Sequence, residues 1–114
     1  MNGVSLSSLA EEHLAKAADT AAGRSSHTLH GGRDHALRQT LIALVAGQRL
    51  GDHESPGEAT VQVLRGTVRV HADGDTWEGG PGDYALIPPA RHDLEAVEDS
   101  VVLLTVSVHG VPGT

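Results

Sequence analysis

Two different periods divide the chain. Over residues 5–22 apolar side chains recur at helical spacing, with Leu6, Leu9, Leu14, Ala17, Ala18 and Ala21 forming one stripe, so the pattern predicts a single amphipathic helix. Ser8 and Glu11 fit a capping box, Glu11 and Glu12 complement the positive end of the helix dipole, and Gly23 can end the helix. The stripe is narrow and rich in alanine. It predicts a helix lying across the outside of a barrel or against a second subunit, with no catalytic duty.

From Arg24 onward the period shortens to two. Short extended runs are predicted at Ser25 to His30, His35 to Val45, Ala59 to Arg65, Thr67 to His71, Asp75 to Glu78, Tyr84 to Ile87, His92 to Ala96 and Val101 to His109. Turn chemistry separates them: Gly31-Gly32, Arg65-Gly66, Ala72-Asp73-Gly74, the Gly79 to Asp83 run and Glu98-Asp99-Ser100. Short strands at such regular spacing predict a sandwich or barrel. The expected organisation is an N-terminal helix and arm over 1–23, an all-β antiparallel barrel over 24–110 and a loose tail over 111–114.

The run from His35 to Val45 is apolar on both faces. Alternation puts Leu37, Gln39, Leu41, Ala43 and Val45 on one face and Ala36, Arg38, Thr40, Ile42 and Leu44 on the other. One of Arg38 and Gln39 therefore faces inward, and the outer side is expected to be covered by the helix or by a partner subunit. A homodimer is expected on that ground.

Composition narrows the chemistry. With 114 residues the chain suits one core, and with no Phe, one Trp and one Tyr that core is built from Val, Leu and Ala. A formal charge of −7 argues against nucleic acid and anionic membrane surfaces as partners. The absence of cysteine removes disulfides, thiolate nucleophiles and thiolate metal sites, which leaves the eight histidines as candidates for metal ligation or acid–base work. No basic-then-apolar start and no apolar run near ~20 residues is present, so a cytoplasmic location is the expectation. Asp73-Gly74-Asp75 is a hairpin turn, without the further oxygen ligands that calcium needs.

Two segments carry the candidate chemistry. Gly47 to Gly66, GQRLGDHESPGEATVQVLRG, runs from a glycine through five residues to His53, then to the Pro56-Gly57 break and an alternating strand closing on Gly66, which puts His53 at the mouth of a strand pair. Gly82 to His92, GDYALIPPARH, turns at Gly82-Asp83, stops a strand at Pro88-Pro89 and begins the next at His92. Together the segments resemble the paired signature motifs of the cupin superfamily, over roughly residues 36–108. In that family the first motif contributes two histidines and a glutamate, and the second contributes one histidine.

The resemblance implies a cupin-like double-stranded β-helix, or jelly roll, with an interior pocket, and it implies less about metal. His53 holds the place of the first histidine, but Ser55 stands at the second, and strict register lands on Ala59 where the family has glutamate. Glu58 is one position away, and a one-residue offset points it out of the barrel unless a bulge re-aims it. His92 matches with one residue deleted, and Ala90 takes a glycine position. Catalytic Fe, Mn, Zn or Ni sites usually draw at least three protein ligands, so a divalent metal here needs His53, His92 and one of Glu58, Glu54, His35 or a partner's side chain.

Three functions follow in order. The first is binding of a small molecule in the barrel, as a sensor or accessory protein, with Val61, Val63, Leu86 and Val106 as walls and His53, His92 and Gln39 as polar groups. The second is a metal-dependent enzyme of oxygenase or isomerase type with His53, His92 and Glu58 on the ion. The third is a structural or regulatory homodimer. His13, His27, His71 and His109 are expected at the surface or on edges.

Overall fold

The computed structural model describes residues 1–51 and 57–108. The one helix among the described residues, α1 (Leu6–Ala18), starts a turn earlier than the capping box predicts. Ser5 has extended backbone angles, and its Oγ accepts the Ser8 N–H at 3.2 Å, so Ser5 is the cap and Ser8 lies inside the first turn. The helix stops at Ala18, and residues up to Gly23 turn the chain into the first strand.

Eight strands follow: β1 (Arg24–His30), β2 (Leu37–Leu44), β3 (Gly57–Arg65), β4 (Val68–Ala72), β5 (Asp75–Gly79), β6 (Tyr84–Ile87), β7 (His92–Ala96) and β8 (Ser100–Val108). All pair antiparallel, in a five-stranded sheet of order β1-β2-β8-β3-β6 and a three-stranded sheet of order β5-β4-β7. The sheets remain two layers and do not close into a continuous barrel. Residues 47–51 carry the chain from one layer to the other along β7, where Gly47 N–H and Leu50 N–H donate to the Ala96 and Leu94 carbonyls at 2.8 and 3.0 Å.

Alternation on each strand builds the core between the layers. Ala59, Val61 and Val63 of β3 and Val102 of β8 meet Val68, Val70, Leu94 and Ala96 of the opposing sheet, with Leu44 and Ile87 completing the buried set. Each fully buried Val or Leu contributes about 1.5–3 kcal/mol relative to exposure. A second cluster lies on the outer side of the larger sheet, where Ala10 and Ala17 of α1 pack on Leu41, Ala43 and Val101. The alanine-rich stripe thus lets the helix approach closely, and it covers Leu41 and Ala43 on the outer face of β2 within one chain.

Local chemistry sets the corners. Gly66 joins β3 to β4 with φ of +77°, and a Cβ there would run into the Asp99 carbonyl oxygen and the Ser100 Oγ. His13 departs from its surface expectation: it is 5% exposed beneath the helix, with Nδ1 2.7 Å from Ser25 Oγ and its ring 5.4 Å from that of His27.

Candidate functional site

The strand register writes the interior as rows. On the larger sheet Arg38, Val106, Ala59 and Ile87 lie side by side on β2, β8, β3 and β6, followed by Thr40, Leu104, Val61 and Ala85. On the smaller sheet Asp75, Ala72 and His92 form one row, and Trp77, Val70 and Leu94 the next. The two sheets separate where their edge strands β5 and β6 face each other. There a cleft of about 220 Å³ opens, walled by Val70, Ala72, Trp77, Ala85 and Ile87 with Asp75 as its acidic group.

His92 begins β7 directly across from Ala72 of the cleft wall. It is 3% exposed, and its Nδ1–H donates to the Ala90 carbonyl at 3.0 Å. A carbonyl oxygen only accepts, so this bond places a proton on Nδ1 of the ring. The Pro88-Pro89 stop and the turn at Ala90 set this geometry, because the carbonyl two residues back points at the ring.

Val61, Val63 and Val106 face the core between the sheets, the first two fully buried, and none of the three lines the cleft. Leu86 is among the residues lining the cleft, on its open side, where it is 66% exposed between Ala85 and Ile87. Gln39 faces outward. It shares the helix-covered side of β2 with Leu41, and its Nε2 donates to Thr105 Oγ1 at 3.3 Å. The inward member of the pair is Arg38, on the face of Ile42 and Leu44, with its Nε shut from solvent and lacking a hydrogen-bond partner. The small Ala43 beside an alanine-rich helix was the available signal for this orientation.

Glu58 is exposed on the outer face of β3, opposite Ser107. The bulge that β3 does contain falls between Val63 and Arg65, too far along to turn Glu58 inward. His35 is exposed as well, its Nδ1–H donating to the Gly31 carbonyl at 2.8 Å and its ring 4.4 Å from His30. His53 and Glu54 lie outside the described residues. Among the described residues no three His, Asp or Glu side chains converge in a way that would hold a metal, so this part of the chain does not by itself supply the expected ligand set.

Behind His92 the outer face of the small sheet is charged. Asp93 is 5% exposed and accepts from Arg49 Nη1 at 3.0 Å and from the Gly51 N–H at 3.1 Å. A hydrogen bond from His71, opposed in part by desolvation and aided by Arg49, holds the Glu95 carboxyl below its ordinary value of 4.5. Arg69 is raised by its 2.7 Å hydrogen bond to Glu78.

Residues 40–109 match the family model described as "Cupin domain". The chain belongs to the cupin family. Among solved structures this cupin resembles a conserved protein of unknown function from Streptococcus pyogenes at 32% identity, covering 77% of this chain and 76% of that one, with a TM-score of 0.71. A cupin 2 conserved barrel domain protein from Leptotrichia buccalis is 28% identical over 74% of this chain and 40% of its own, with a TM-score of 0.68. A cupin superfamily protein from Desulfitobacterium hafniense shares the fold at 16% identity, covering 75% and 77%, with a TM-score of 0.69. No curated protein matches the chain. None of the described helices is long and apolar enough to cross a membrane.

Proposed function

We propose that this cupin binds a small organic molecule between its two sheets, entering at the β5–β6 seam, and acts as a sensor or accessory protein. The observation that carries the reading is the cleft itself: its walls are apolar side chains from both layers, and a buried histidine whose Nδ1 is tied to a carbonyl stands one strand away. Apolar walls with a few placed polar groups are the usual composition of a ligand site. At about 220 Å³ the space is below the usual range for drug-sized ligands, which favours a compact molecule. On the outer face of β2 the helix covers Leu41 and Ala43, while Leu37 stays 45% exposed.

Trp77 is the only tryptophan and lines the cleft, so its fluorescence reports occupancy. Titrating compact apolar compounds should give a saturable change that weakens at least tenfold in Ala85→Leu, which fills the cleft. Equal binding by that variant would move the ligand elsewhere, and silence across the compound set would remove the reading.

A second reading, a metal-dependent enzyme of oxygenase or isomerase type, draws support from one feature. A histidine whose other nitrogen is tied to a carbonyl is the usual state of a ligating imidazole. Elemental analysis of tag-free protein decides it: near-stoichiometric transition metal that disappears in His92→Ala and in His53→Ala would favour the enzyme.

A further inference from the structure

We infer that the molecule bound between the sheets is a small monocarboxylate, held by the Arg38 guanidinium with its apolar body directed along the inner face toward the cleft; this rests on the reading above. Arg38 is the charged residue of the inner row that continues through Val106 and Ala59 to Ile87, and Ile87 lines the cleft. Its Nε is buried without a hydrogen-bond partner, and no acidic side chain pairs with it among the described residues. A buried donor left unmade on a charged group costs stability, and such exceptions call for a functional account. Among the described residues the inner-face neighbours offer no compensating charge: Thr40 supplies a hydroxyl, and Val106, Ala59 and Ile87 are apolar.

Chemistry selects the ligand class. A planar guanidinium matches a carboxylate with two parallel N–H···O bonds, one of them from Nε, so a carboxylate would satisfy the orphaned donor. One cation balances one negative charge, and an apolar interior disfavours a strongly hydrated dianion such as phosphate. From β2 to β6 the row spans three strand spacings, roughly 14 Å in a flat sheet, of which the arginine side chain covers about half. An apolar chain of medium length bridges the remainder.

The test uses the full chain with sodium hexanoate, its neutral isostere hexanamide and inorganic phosphate, followed by calorimetry and Trp77 fluorescence. Hexanoate should bind saturably and at least tenfold more tightly than hexanamide. Arg38→Met should weaken hexanoate at least tenfold without changing hexanamide, and Arg38→Lys, which keeps the charge and loses the fork, should fall between. Circular dichroism of both variants confirms that they fold. Equal affinity of acid and amide would overturn the inference; if Ala85→Leu then weakens both, the cleft still stands as the binding site. Absence of hexanoate binding, wild-type hexanoate affinity in Arg38→Met, or phosphate binding that alone depends on Arg38 would each overturn it as well.

Discussion

Arg49 and Asp93 join the crossing segment to the strand that carries His92, with Arg49 Nη1 donating to Asp93 Oδ2 at 3.0 Å. The carboxylate is nearly buried while the arginine is more than half exposed, so the pair works chiefly as a hydrogen-bonded latch on residues 47–51. Hydrogen bonds to charged groups contribute about 1.5–3 kcal/mol each, and exposure of the arginine places this one toward the lower end. Asp93→Ala should therefore destabilise the fold by about 1–3 kcal/mol in urea unfolding. It should also speed hydrogen exchange at the Leu50 amide, which bonds to the Leu94 carbonyl.

The inward position of Arg38 gives a stability expectation of opposite sign. Methionine keeps the length of the side chain and removes the orphaned Nε, whose burial costs about 1–3 kcal/mol. Long-range attraction to an anionic protein is screened and smaller. Arg38→Met should raise the melting temperature by roughly 4 °C or more. A lower melting temperature would mean that the guanidinium is satisfied in the free protein.

Leu44 and Leu86 form a contrasting pair. Leu44 is fully buried in the inter-sheet core, whereas Leu86 is 66% exposed. Leu44→Ala should cost about 2–5 kcal/mol and Leu86→Ala no more than about 0.5 kcal/mol, compared by chemical denaturation.

Glu95 predicts a limit at acid pH. Its folded value lies below 4.5, so the folded chain keeps the carboxylate ionised where the unfolded chain takes up a proton. That contribution is complete above 4.5 and is lost as pH falls through the lowered folded value. Glu95→Gln should consequently lower stability near neutrality, and its difference from the wild type should shrink as pH falls below 4.5, followed by urea unfolding at a series of pH values.

Gly66→Ala tests the corner between β3 and β4. The positive φ and the approach of Asp99 and Ser100 backbone and side-chain atoms leave no room for a methyl group. A loss above ~2 kcal/mol in thermal or chemical unfolding is expected.

Much of this architecture was legible in the residues. Tyr84–Ile87 and His92–Ala96 match their predicted bounds, because a Gly-Asp turn and a double proline punctuate them sharply. The site was less so. Period two fixes which residues share a face but not which face is inside, and β2 is apolar on both, so Gln39 and Arg38 exchanged roles once the helix took the Leu41 side. At β6 the same ambiguity hid that Ala85 and Ile87 face the interior while Leu86 meets the cleft from its exposed side. The helix cap slipped because Ser5 and Ser8 both suit the position, and only backbone angles decide between them. Motif spacing brought His92 to the interior edge, while Glu58 kept the outward parity that its register dictates.

Because the two apolar clusters sit on opposite sides of β2, release of the N-terminal helix would bare Leu41, Ala43 and Val101 while the far side of the same strand stays packed. Such a partly opened chain keeps its ordered sheets yet displays a flat greasy surface. Self-association on heating should begin there, ahead of global melting, and clipping the chain between the helix and β1 should make it precipitate before it unfolds.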